Sequence, residues 1–298
     1  MKFGLQISSF TWPGGAAEIG PTFARVVRAA DDAGFDSIWV MDHFFQIRAV
    51  GRPEEPMLEG MTALGFMAAH SGRARLGLMV GGIHYRQPAV WIKATTTLDV
   101  LSGGRAWFGI GAAWNQEESQ ALGFPFPSLG TRFEMLEDTL RFAHAMWSGE
   151  RGSEEDLQGQ HIRATRLMNS PQVLSRPRIP IMIGGGGERK TLRLVAQYGD
   201  ACNVFGGPEK IHHKFEVLHG HCDDLGRPFE EIERSALQNV NIDAGGAGGA
   251  ETPDQVTERF GELADAGAQH IVFSVRDVWQ TDKLELLGRT VLPALRSL

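Results

Sequence analysis

The chain has 298 residues, 42% of them hydrophobic and 22% charged, with a formal net charge of −7 and 37 glycines. An acidic chain of this kind lacks the basic stripe that a nucleic-acid partner requires, and no apolar run approaches the roughly 20 residues of a membrane span. Two cysteines, Cys202 and Cys222, are too few for a disulfide framework and point to a reducing cytoplasm.

Short apolar runs alternate with helical patterns along the chain. The first strand, over 2–9, begins directly, with no signal-peptide core before it. Phe23, Val26, Val27 and Ala30 then recur at i, i+3, i+4 and i+7, the apolar stripe of a helix, and Gly34 stands where its C-cap belongs. Strands are expected at 37–41 and 76–80. Pro88 opens a helix running to Leu101, a strand follows at 106–109, and Leu136, Leu140 and Ala143 mark another helix. The stretch 149–178 is polar and irregular, and reads as an insertion lying over the mouth of the fold. Beyond it come strands at 180–183, 201–205, 235–242 and 270–275, with a helix carrying Val256, Phe260 and Leu263 that ends at Gly267.

These strands are apolar on both pleat faces, as strands of a parallel sheet covered on both sides must be. Asp32-Ala33-Gly34 and Asp265-Ala266-Gly267 each lead into a buried strand at the same spacing, an internal echo also compatible with convergence on a common helix–Gly–strand turn. Eight such units favour a closed (β/α)₈ TIM barrel over an open doubly wound sheet. Barrels run to about 250 residues as one domain, and no linker interrupts the chain, so a single domain over 1–298 is expected.

In such a barrel chemistry belongs to the loops after the strands. Gly184, Gly185, Gly186 and Gly187 lie between a strand and a helix starting near Glu188. Backbone N–H groups and a helix N-terminus there suit a phosphate, with Arg189 and Lys190 adding positive charge; a plain tight turn is the other reading. Asp42 and His43 follow the second strand. His43 can exchange a proton near neutrality, or Asp42 can cap the next segment and leave His43 on the surface. His212, His213, His219, His221 and Cys222 lack the ligand spacing of a zinc site and read as a solvated helix face. Gln6-Ile7-Ser8-Ser9 holds no His-x-His, and no Gly-x-Ser-x-Gly elbow is present, which counts against metal-dependent hydrolases and esterases.

The ordered blocks 34–43, 85–88, 97–105, 109–118, 183–189 and 198–203 resemble the luciferase-like monooxygenase superfamily, in particular its deazaflavin (coenzyme F420)-dependent oxidoreductase branch in actinobacteria. The resemblance implies a luciferase-like barrel that transfers a hydride between F420 and an organic substrate; an FMN-dependent monooxygenase and a non-catalytic flavin- or deazaflavin-binding protein are the alternatives. It implies that Asp42 lies against the ring system and His43 on the substrate side. Met79 and Val80 match the site of a non-prolyl cis peptide behind the ring. Gly111, Ala112 and Asn115 line the ring and ribityl region, and the glycine loop takes the phosphate. Ala112 stands where the sugar-phosphate dehydrogenases of this superfamily carry an acidic glutamate, which speaks against glucose 6-phosphate. Phe44, Phe45, Trp114, Phe124 and Phe126 suit an apolar substrate pocket or simple packing. A homodimer is also among the expectations, because relatives are often dimers.

Overall fold

Residues 1–296 are described by a computed structural model, in which the helix–glycine–strand unit is repeated around a closed barrel. Strand β1 (Lys2–Ile7) leads to helix α1 (Ala16–Ala33), which stops at Gly34 in a left-handed conformation (φ 91°), a geometry that costs glycine nothing. β2 (Ser37–Val40) follows three residues later. The echo at the far end is structurally the same: α8 (Pro253–Asp265), Gly267 at φ 98°, then β8 (His270–Val275). Between them lie α2 (Gly60–His70), β3 (Arg75–Leu78), α3 (Pro88–Leu101), β4 (Phe108–Gly111), α4 (Gln116–Ala121) and α5 (Leu129–Met146). The chain continues through β5 (Ile181–Gly184), α6 (Thr191–Tyr198), β6 (Ala201–Phe205), α7 (Pro208–Leu225) and β7 (Glu233–Val240). After β8 it ends in α9 (Asp282–Arg289) and α10 (Val291–Arg296).

All pairings in this sheet are parallel, β1 lying between β2 and β8. Closure comes from the third strand. After β3 the chain bulges at Met79–Val80, whose peptide is cis as the resemblance implied, and resumes pairing at Gly81–Gly82. β3 pairs with β2, whereas Gly81–Gly82 pairs with β4. Leu76 also bridges to Ala106, so the two halves of one strand join the ends of the sheet. The bulge explains why β4 starts at Phe108 rather than at Ala106 and is rich in glycine. A Cβ on Gly109 would come within 1.8 Å of the Leu78 carbonyl oxygen, and one on Gly111 within 2.9 Å of Val80 Cγ2.

The core has two compartments. Phe3, Leu5, Ile7, Ile38, Leu76 and Ile183 point outward into the layer beneath the helices. Trp39, Met79, Trp107, Met182, Ala201 and Val272 fill the barrel itself. Below Trp39 the interior is polar but satisfied: the Trp39 indole N–H donates to Ser37 Oγ (2.7 Å), Ser37 Oγ lies 2.9 Å from His270 Nε2, and His270 Nδ1 lies 2.7 Å from Glu233. Ser37 is 1% exposed, so this Ser–His–Glu chain closes the lower end of the barrel rather than offering a nucleophile.

The 149–178 segment departs from expectation. It forms two short antiparallel pairs, Gly152–Ser153 with Leu167–Met168 and Leu157–Gln158 with Arg163–Ala164. It lies along the outside of α3 and α5, not over the mouth. Two buried carboxylates hold it there: Asp138 accepts the backbone N–H of His161 (2.6 Å), and Asp99 accepts those of Leu174 (2.7 Å) and Ser175 (2.9 Å). Ser170–Pro171 and Arg176–Pro177 are cis. Among the described residues no helix is long and apolar enough to cross a membrane.

Candidate active site

A cleft of about 430 Å³ opens at the C-terminal ends of the strands. A larger cavity of about 650 Å³ lies at the opposite end, around Lys2, Arg75, Arg178, Glu233 and His270. The functional assignment goes to the first, because the βα loops meet there and because most of the motif residues line it. Asp42, His43, Met79, Val80, Gly111, Ala112, Gly184, Gly185 and Gly187 all face it. Asn115 and Gly186 do not: Asn115 precedes α4 without a capping hydrogen bond from its side chain and borders a neighbouring cavity, while Gly186 turns toward Lys214.

The floor is the bulge itself. A Cβ on Gly184 would meet Val80 at 2.7 Å and one on Gly111 at 2.9 Å, so the two flanking strands are bare where Val80 projects. The result is a flat apolar bed. One wall is the glycine loop, where Gly185 has φ 118° and a Cβ on Gly187 would meet Thr191 Oγ1 at 2.7 Å. Helix α6 starts at Thr191, later than the glycines suggested, because residues 188–190 form a turn first. Lys190 lies over the Phe133 ring, and Lys214 of α7 packs beside Gly186 and pairs with Glu188. His213 and His221 hydrogen-bond to Glu188 as well, so the histidine-rich helix face anchors the end of this loop. Trp114, Leu129 and Phe205 are more than half exposed at the rim, an apolar collar. No lysine or arginine lines the cleft among the described residues.

The opposite wall carries the charge. Asp42, at the end of β2, is buried and accepts two hydrogen bonds from Arg86 (2.6 and 2.7 Å) and one from the Gly82 N–H (3.0 Å). Arg86 also binds Glu59, whose side chain caps α2. Burial opposes ionisation of Glu59, but the Arg86 guanidinium and the Thr62 N–H outweigh it and hold its pKa down at about 2. His43 is tied differently: its Nδ1 lies 2.5 Å from Glu118 Oε1. Glu118 is fully buried and also accepts from the Phe44 N–H (2.8 Å), the Phe45 N–H (3.1 Å) and the Tyr85 hydroxyl. Burial raises the Glu118 pKa, yet the His43 and Tyr85 hydrogen bonds leave it below the ordinary value, and burial beside Glu118 pushes the Tyr85 phenol up. Phe44 and Phe124 pack on Tyr85 behind this wall, while His84 reaches Ser119 and Phe126. Burial and Arg132 push His84 down to about 4.

Glu118, Tyr85 and Arg86 were not among the residues singled out as site residues. Their only sequence signal was membership in the blocks 85–88 and 109–118.

The profile of the luciferase-like monooxygenase family matches residues 1–244. The chain belongs to this family. An F420-dependent glucose-6-phosphate dehydrogenase of Nakamurella multipartita is 25% identical, with 97% of each chain covered. Among solved structures, an F420-dependent secondary alcohol dehydrogenase in complex with an F420-acetone adduct superposes with a TM-score of 0.79 at 16% identity, with 99% of each chain covered. A riboflavin lyase with modified FMN reaches 0.82 at 14% identity, covering 100% of this chain and 91% of its own. These two likenesses speak for the fold, a luciferase-like barrel.

Proposed function

We propose that this family member is an oxidoreductase that binds F420 in the C-terminal cleft and exchanges a hydride with a small, uncharged organic substrate. The observation that carries the reading is the cleft's construction: a flat apolar bed over Val80, a glycine wall at one end and a tethered histidine at the other. A planar tricycle with a phosphate-bearing tail fits that bed and that wall. The glycine loop takes the phosphate on its Gly187 side, ahead of α6, the usual way glycine-rich loops take anions; the Gly185 N–H is already given to the Asn203 carbonyl (3.0 Å). Asp42, Met79, Val80, Gly111 and Ala112 border the ring. The deazaflavin, when bound, supplies the site that takes up or gives back a hydride. His43 exchanges the accompanying proton with the substrate, and the apolar collar of Trp114, Leu129 and Phe205 limits water.

The curated relative at 25% identity is a glucose-6-phosphate dehydrogenase. Here Ala112 replaces the acid expected of such enzymes and no cationic side chain lines the cleft, so a sugar phosphate finds neither partner. A ketone, enone or quinone suits the collar better.

Titration of the oxidised deazaflavin, followed by quenching of tryptophan fluorescence, tests the cofactor. Binding at micromolar concentration or tighter, with FMN weaker, is expected; FMN binding equally or more tightly overturns the proposal in favour of a flavin monooxygenase.

A further inference from the structure

We propose that Glu118 is a positioning residue: it locks His43 with the proton on Nδ1 and so presents Nε2 to the cleft as the proton-exchanging atom. The inference rests on the reading of His43 given above, but its structural core concerns this chain alone.

Glu118 Oε2 faces two backbone N–H groups, Phe44 at 2.8 Å and Phe45 at 3.1 Å. Oε1 takes the Tyr85 hydroxyl and faces His43 Nδ1 at 2.5 Å. An ionised carboxylate is acceptor-only, and backbone N–H groups are donors that cannot change role. Glu118 sits wholly inside the protein, where an unsatisfied charge is costly, so each oxygen must be met by donors. His43 Nδ1 therefore carries a hydrogen. In the neutral ring Nε2 is then the lone pair, and it makes no hydrogen bond among the described residues.

The arrangement has a chemical consequence. With an alcohol-type substrate, His43 Nε2 would take the O–H proton, the bound deazaflavin supplying the acceptor for the hydride. The imidazolium so formed stands against the Glu118 carboxylate. In the reverse direction Nε2–H would return its proton to the carbonyl oxygen. Tyr85 and the two N–H groups keep the carboxylate from rotating away, so the ring orientation is fixed before substrate binds. Glu118 enters the site from α4, and His43 from the loop after β2, so this one contact also joins two βα loops across the mouth.

The Glu118→Gln substitution makes the idea sharp. The amide oxygen must turn toward the Phe44 and Phe45 N–H groups, leaving the NH₂ toward His43. Nδ1 then has to accept, and the proton moves to Nε2. Long-range ¹H–¹⁵N spectra of histidine-labelled protein, with His43 assigned by comparison with His43→Asn, read the tautomer without cofactor or substrate. In the unsubstituted protein a protonated Nδ1 is expected, and in Glu118→Gln a protonated Nε2. A neutral His43 with its proton on Nε2 in the unsubstituted protein overturns the proposal, as does an unchanged tautomer in a folded Glu118→Gln. Should that variant fail to fold, the first spectrum still decides. In turnover Glu118→Gln should lose roughly 100-fold in kcat, as loss of an oriented general base does, with deazaflavin affinity within about twofold and an altered pH profile. Absence of deazaflavin binding to the unsubstituted protein defeats the cofactor reading and leaves the tautomer result standing.

Discussion

His43 and Asp42 are adjacent in the chain but are held by opposite charges, and this separates what their removal should do. His43 rests on a carboxylate and keeps one ring nitrogen toward the cleft. His43→Ala should therefore cost about 100-fold or more in kcat while deazaflavin affinity stays near normal, a split read by single-turnover absorbance and by titration. Asp42 is instead one of two anions holding the largely but not fully buried Arg86. Asp42→Ala leaves that guanidinium half-compensated, and removing one partner of a buried pair costs about 3 kcal/mol or more. A marked fall in urea-unfolding stability is expected, together with weaker cofactor binding; unchanged stability would show that Glu59 alone suffices for Arg86. The sequence made Asp42 and His43 visible because they end a strand. It hid Glu118, which lies 75 residues from His43 in the chain. Glu117 and Glu118 are alike in the first turn of α4, and only the fold decides that one pairs with Arg48 at the surface while the other is buried.

Helix stops and strands were legible wherever glycine and periodicity coincided, as at Gly34 and Gly267. The 149–178 segment was not, since its placement depends on two carboxylates, Asp99 and Asp138, which stand 75 and 23 residues before the N–H groups they bind. The bulge between β3 and β4 lies between these cases: its cis peptide came from family likeness, while the need for glycine beside it is a matter of contact distances. That need makes a prediction. Gly184→Ala pushes a methyl to 2.7 Å from Val80, and the clash should lower thermal stability and cofactor affinity together. Combining it with Val80→Ala removes the opposing methyls, so the double variant should recover part of the loss. A double-mutant cycle showing strict additivity would mean that the two sites do not touch.

For the molecule as a whole, the buried titrating groups set its behaviour in acid. His84 is held at about 4, below its ordinary 6.5, so the unfolded chain takes up that proton first and stability falls as pH drops from 6.5 toward 4. Glu59 and Glu233 are held at about 2, below 4.5; their contribution is complete above 4.5 and is lost as pH falls toward 2. Urea midpoints measured against pH should thus decline in two stages. His84→Gln should flatten the upper stage and Glu233→Gln part of the lower; a single stage unaltered by His84→Gln would remove the histidine from the account. The closure of the barrel through two halves of one strand has a consequence of another kind. An open sheet presents backbone groups to which another chain can add a strand, a route to fibrils and to sheet-to-sheet dimers. Here the third strand occupies both would-be borders, with Leu76 bonded to the chain at Arg105 and Trp107, and Gly81–Gly82 paired with β4. Among the described residues a second copy of this chain therefore finds no open edge on the barrel sheet, and strand edges are left only on the two short pairs of 149–178.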